Sequence, residues 1–171
     1  MYPIQYIADK DVDNSLDQAL RRLLIVCFTK PGDEVFQKRR YFIDPPIHRW
    51  IIADKEKLVA HVAAHEKTII HNAQKMTIGG VAEVCVHPEY RRQGLVRAIL
   101  LRAHALFRAK KFPFAALCGD AAIYTSSGYV EVSNLHFKRG EQLSNIPGAM
   151  VCKLGDQKWP KDEVVLLGNL F

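Results

Sequence analysis

Apolar residues at Leu16, Leu20, Leu23, Leu24 and Cys27 recur at three- and four-residue spacing, which predicts one buried face of a helix running to about Cys27. A polar Asp/Asn/Ser cluster precedes it and supplies capping side chains, and Ile4 to Ile7 reads as a short strand before that. From Phe28 to Ile47 the periodicity breaks around Pro31-Gly32 and Pro45-Pro46, which predicts a long loop or a short helix. Arg49 to Ala53, Leu58 to Ile70 and Lys75 to Val86 read as successive strands separated by short polar turns, the pattern of an antiparallel meander. Val96, Ile99, Leu100, Ala103 and Phe107 return to helical spacing within a helix from about Gly94 to Lys110. Phe112 to Cys118 is apolar on both alternations, as expected of a strand covered on both faces. A short helix over Gly119 to Ser127 is expected next, then a strand from Tyr129 to Phe137 whose alternation slips at Ser133-Asn134. Ala149 to Leu154 then closes the sheet, leaving a tail through Trp159-Pro160 to Phe171. The sum is an α+β chain with a mostly antiparallel central sheet of about six to seven strands and flanking helices, organised as one domain over residues 1–171.

Composition narrows the class. No apolar run is long enough to span a bilayer, and the N-terminus lacks a basic lead and an apolar core, so a cytoplasmic protein without a membrane association is expected. Cys27, Cys85, Cys118 and Cys152 are scattered, with no Cys-x-x-Cys pair and no histidine at ligand spacing, which argues for reduced core thiols and against a metal site. The formal net charge is +6, yet the basic residues are dispersed and lack interleaved aromatics for base stacking. Such an excess suits a solvated surface or a collar for a polyanionic small ligand better than a nucleic-acid face.

One segment concentrates chemistry. In Val84-Cys85-Val86-His87-Pro88-Glu89-Tyr90-Arg91-Arg92-Gln93-Gly94-Leu95-Val96 a buried strand runs into a basic turn that opens a helix. Backbone N–H groups without helical partners then point at one spot beside the positive end of the helix dipole, a geometry that suits an anion. Gly94 removes a side chain where a pyrophosphate approaches the backbone; the alternative is that it merely starts a helix after a proline-containing turn.

This run resembles the coenzyme-binding motif of the GNAT N-acetyltransferases, in which an Arg/Gln-x-x-Gly-x-Gly/Ala turn wraps the coenzyme A pyrophosphate. Arg91 and Gly94 match, and Val96 departs from the usual Gly or Ala. Gly119 to Tyr129 resembles the family's later motif, an Ala-rich helix carrying a tyrosine, followed by a Gly-aromatic pair. The resemblance implies the GNAT fold, acetyl-CoA as co-substrate without a metal, and contacts to it from Val84, Cys85, Val86 and Arg91 through Val96. It also implies direct transfer through a ternary complex, with Tyr124 as general acid beside the coenzyme sulfur.

A primary amine with a pKa near 10.4 is neutral only about four times in ten thousand at pH 7, so a base or a desolvating pocket must deliver it. Glu83 is the only carboxylate in the strand next to the turn, but the family places its glutamate at least one position earlier, where this chain has Ala82 or Gly80. Glu83 is therefore the expected base only if a bulge at Gly79-Gly80 or nearby re-phases the strand. His65 is the substitute, ahead of His61 and His87. The chain looks nearest to aminoglycoside 2′-N-acetyltransferases and related acetyltransferases, which makes a small-molecule amine, such as an amino sugar, the expected acceptor. Asp33, Glu34, Asp44, Glu83 and Asp162-Glu163 are the carboxylates available to a polycation. A protein or peptide amine, and a coenzyme-binding sensor without turnover, remain the other readings. Trp159 and Val164 to Leu167 suggest either a homodimer surface or a cover for the sheet edge.

Overall fold

The computed structural model describes residues 2–171, apart from the side chain of Arg139. The chain folds as two compact units, the first formed by residues up to Ala64 with Ala82–Arg102, the second by His65–Val81 with Ala103–Phe171.

In the first unit, β1 (Ile4–Ala8) pairs antiparallel with β2 (His48–Asp54) from Ile4 opposite Ile52 to Ala8 opposite His48. β2 pairs in turn with the first half of β3 (Lys57–His71), from His48 opposite Ala64 to Asp54 opposite Lys57. A 3-10 turn over Asp9–Asp11 leads to α1 (Asn14–Cys27), where the Asp13 carboxylate accepts from the Leu16 N–H at 2.8 Å and caps the helix. The face predicted by the spacing is the one that packs: Leu23 and Leu24 form a cluster with Phe36 and Cys85, joined by Cys27, Phe28, Val35 and Leu58. The irregular segment after α1 contains a 3-10 turn over Asp33–Gln37. It delivers Phe36 into that cluster, where burial of one phenylalanine contributes about 2–3 kcal/mol.

β4 (Gln74–Val86) and α2 (Leu95–Ala109) run through both units. The sheet of the second unit also contains β5 (Phe114–Cys118), β6 (Tyr129–Glu131), β7 (Leu135–Arg139), β8 (Gln142–Asn145), β9 (Ala149–Lys153) and β10 (Val164–Leu166), in the order β6-β9-β5-β4-β3-β10-β7-β8. A four-residue helix, α3 (Ala121–Tyr124), follows β5. β5 is parallel to β4, pairing through Gly79 with Ala115 and Gly80 with Ala116. Both glycines answer to packing: a Cβ on Gly79 would lie 2.3 Å from the Phe107 ring of α2, and one on Gly80 would lie 2.8 Å from the Phe171 ring.

The α+β architecture is as the sequence predicts, with ten strands among the described residues in place of about six to seven, and four further details differ. Tyr129 to Phe137 is two strands, not one, and they sit far apart in the strand order. The break falls at Asn134, whose side-chain amide donates to the carbonyls of Pro160 and Asp162 while its Oδ1 accepts from the Trp159 indole N–H at 2.9 Å. β9 lies between β5 and β6 and so does not close the sheet. The expected tail supplies β10, which runs antiparallel to β3 and parallel to β7. Val164 and Leu166 are consequently buried, and the half-buried Trp159 stands edge-on to Phe114 at 5.0 Å, so the apolar tail packs into the second unit. Cys118, expected in the core, is exposed at the end of β5.

Candidate active site

The turn between β4 and α2 is held from several sides. The His87 N–H donates to the Val59 carbonyl at 2.8 Å, the Tyr90 hydroxyl donates to Asp54 at 2.8 Å, and the Arg91 Nε–H reaches the Val86 carbonyl at 3.3 Å. Beyond this anchor Arg91, Arg92, Gln93 and Gly94 are all exposed. Arg92 and Gly94 both take left-handed backbone, at φ 63° and 73°, which curls the chain so that successive N–H groups face the same way. A Cβ on Gly94 would meet nothing within 4 Å, so the space beside this glycine is open, unlike that beside Gly79 or Gly80. The Ala98 N–H to Gly94 carbonyl bond begins α2, which leaves the N–H groups of Leu95, Val96 and Arg97 at the positive end of a 15-residue helix. These features fit a pyrophosphate. Val96 is half-buried and Leu95 buried, so neither side chain occupies the opening. Behind them in the strand, Cys85 and Val86 are buried and Val84 is half-buried. A cavity of about 570 Å³ lies beside the turn, lined by Gln93, Leu95, Ala98 and Arg102 with Tyr2, Pro3, Ile4 and Ile52.

Strand alternation alone left the direction of Glu83 open. The residue adopts φ 49°, a left-handed conformation that costs a non-glycine residue about 1–3 kcal/mol and interrupts the alternation at this position and not at Gly79-Gly80. Its side chain is 5% exposed. Oε1 accepts from the Phe42 N–H at 2.8 Å, whereas Oε2 lies 3.6 Å from Arg49 Nη1 and has no hydrogen-bond partner among the described residues. Burial drives the carboxyl pKa up and the Asp9 charge assists. Arg49, the Phe42 N–H and Arg40 oppose them, and the balance lies at about 7 against an ordinary 4.5.

Around this carboxyl stands a buried polar network that the sequence reading missed. Arg49 is fully buried; its Nε–H donates to Asp9 at 2.5 Å, its Nη1 to His61 Nε2 at 2.9 Å and its Nη2 to the Arg40 carbonyl at 3.1 Å. Arg40 in turn grips both Asp9 carboxylate oxygens, at 2.9 and 2.8 Å. His61 Nδ1 lies 3.1 Å from the Glu83 carbonyl, which can only accept, so Nδ1 carries the proton and Nε2 is the acceptor for Arg49. Burial and the Arg49 charge hold His61 well below its ordinary pKa, and with both nitrogens occupied it is a neutral spacer. The available signal was a charged residue inside the apolar run His48-Arg49-Trp50-Ile51-Ile52, since a buried arginine requires buried partners.

The second unit carries Tyr124. Asp120 caps α3 by accepting from the Ala122 N–H at 2.8 Å, and Gly128 turns the chain at φ 89° into β6. Tyr124 is buried against Gly119, where a Cβ would lie 2.3 Å from its ring, and meets Tyr129 edge-on at 6.1 Å. Tyr129 pairs through its hydroxyl with His104 Nε2 at 2.9 Å. Burial, with the Arg108 charge, lowers His104 to about 4, and burial raises Tyr129 well above 10, so this pair is neutral across the physiological range. His65 is buried on β3 in the same unit. Among the described residues no group of three or more His, Cys, Asp or Glu is placed to hold a metal, and no helix is long and apolar enough to cross a membrane.

A family profile for the acetyltransferase (GNAT) domain matches residues 9–132. A search of curated proteins found no match. Among solved structures, the chain is similar to the GNAT family N-acetyltransferase YhbS from Escherichia coli in complex with CoA, at 15% identity and a TM-score of 0.70 over 97% of this chain and 89% of that one. It is similar also to a GNAT family acetyltransferase from Brucella melitensis in complex with acetyl-CoA, at 12% identity and a TM-score of 0.64 over 96% of each chain. A GCN5-related N-acetyltransferase from Anabaena variabilis is matched at 19% identity and a TM-score of 0.59, over 77% of this chain and 33% of that longer one. The chain belongs to the GNAT acetyltransferase family. It is an acetyltransferase.

Proposed function

We propose that this acetyltransferase acts on a primary amine of a small molecule, with Glu83 as general base and Tyr124 as general acid. The observation that carries the reading is Glu83 itself, a buried carboxyl with one oxygen free of hydrogen bonds among the described residues and a pKa of about 7. A carboxyl of that affinity is ionised about half the time at neutral pH and is a stronger base than an exposed glutamate by more than two pH units. In this reading the Arg91–Val96 turn, with Val84, Cys85 and Val86, holds the coenzyme. Acetyl-CoA supplies the thioester carbonyl and the thiolate leaving group. Glu83 removes a proton from the incoming ammonium at Oε2, Tyr124 holds a proton at its hydroxyl for the departing sulfur, and a β4 backbone N–H near Val84 polarises the carbonyl.

Local electrostatics favour a small amine of low charge over an aminoglycoside. Asp33 and Glu34 are occupied by the N–H groups of Lys30 and Gly32 in their own turn, and two arginines stand near Glu83. The sensor reading depends on the lack of a base, and Glu83 fills that role. Four free thiols and an acetyl-CoA donor fit action in the cytoplasm.

A thiol-release assay with acetyl-CoA against aminoglycosides, polyamines, amino acids and peptides tests this. Turnover on one small-amine class, lost in Glu83→Gln and reduced in Tyr124→Phe, supports the assignment. Turnover confined to peptides, or unchanged in both variants, removes it.

A further inference from the structure

We propose that Arg49 and Asp9 form a counter-charged positioning pair that sets the proton affinity of Glu83, with Arg49 the cation that favours ionisation and Asp9 the anion that restrains it. This rests on the reading of Glu83 as base. Neither residue is assigned to touch substrate; both act through the carboxyl.

The argument is geometric. A guanidinium has five donors in a fixed plane, and a carboxylate beside it ordinarily takes two of them in a bidentate bond. Here Arg49 directs three of them elsewhere: Nε to Asp9, Nη1 to His61 and Nη2 to the Arg40 carbonyl. Glu83 is left at 3.6 Å, close enough to feel the charge and outside hydrogen-bond range. A direct bond would fix Glu83 as a permanently ionised, weak base. Without the cation, burial would keep it protonated at neutral pH and unable to accept. Asp9 prevents the first outcome in two ways, by anchoring Arg49 at Nε and by offsetting its charge.

Every charged or titratable group facing Glu83 belongs to this set or is inert. Arg49 comes from β2, His61 from β3, Asp9 from the turn after β1, Arg40 from the loop after the Asp33–Gln37 turn, and Cys85 from β4 itself. His61 is a neutral spacer, and the hydrogen bond that the Cys85 thiol donates to Cys27, together with burial, holds that thiol well above its ordinary pKa. Arg40 is shared between Asp9 and Asp17. Arg40, the smallest contributor, pulls the same way as Arg49, so the opposed leverage on Glu83 is that of Arg49 and Asp9.

That opposition gives the test. The Glu83 carboxyl is titrated by 13C NMR in the wild type, Asp9→Asn and Arg49→Met, and the pH profile of kcat/KM is measured in parallel. Asp9→Asn is expected to lower the midpoint and the acidic limb of the profile by about one pH unit, and Arg49→Met to raise both by about one unit or more. Loss of folding alone shifts neither midpoint in a signed manner. Shifts of the same sign in both variants, or none in either, overturn the proposal. If Arg49→Met does not fold, Asp9→Asn decides by itself, since an unchanged or raised midpoint is the opposing result. Opposite NMR shifts with a pH–rate profile that ignores them would retain the pair and remove Glu83 as base.

Discussion

Two buried polar clusters invite comparison. In the second unit, His104 and Tyr129 satisfy each other with one hydrogen bond, and burial keeps both neutral. In the first, Glu83 is also buried but one oxygen has no hydrogen-bond partner among the described residues, two arginines and an aspartate surround it, and its backbone sits at φ 49°. The first arrangement is what packing alone requires of buried polar groups. The second leaves a carboxyl unsatisfied and strained, a state that persists where a site needs a receptive group. The difference separates structure from chemistry more sharply than burial does.

Four experiments bear on that contrast. Glu83→Gln is expected to lower kcat/KM by about 100-fold or more, because an amide cannot take the proton; thiol release at the wild-type rate would erase the distinction. The pH dependence of stability follows from the same group. Its folded pKa of about 7 exceeds the unfolded 4.5, so the folded state binds the extra proton between them. Stability from this group is full below pH 4.5 and declines by about 3 kcal/mol as pH rises through 7. Glu83→Gln should remove that decline, so above pH 7 the variant melts higher than the wild type. Tyr129→Phe should cost about 1–3 kcal/mol in denaturant unfolding, the penalty of an unpaired buried His104 nitrogen, while leaving kcat/KM per folded molecule unchanged. Gly94→Ala should cost about 1 kcal/mol through its positive φ and raise the KM for acetyl-CoA, with kcat less affected.

Much of the frame was legible because it is local. The face of α1 shows in Leu20, Leu23 and Leu24, and the α2 face in Ile99, Leu100, Ala103 and Phe107, all of which are buried. The turn proposed to hold the coenzyme was readable from Gly94 and its basic neighbours, since that geometry depends on contiguous residues. Glu83 was readable as a candidate and not as an orientation, because a single left-handed residue inside a strand has no signature when it is not glycine. Arg49, Asp9 and Arg40 were missed because residues far apart in sequence meet only in the folded unit. β10 was missed because three residues are too few to show alternation.

That late strand bears on the order in which the molecule is made. β10 sits between β3 and β7, so the sheet of the second unit has a gap in its interior until residues 164–166 are available. Until then the edges of β3 and β7 are unpaired, the condition under which a nascent chain is most open to strand exchange and capture by chaperones. Synthesis and completion of this sheet are thereby coupled: β10 leaves the ribosome only after both of the strands that it joins.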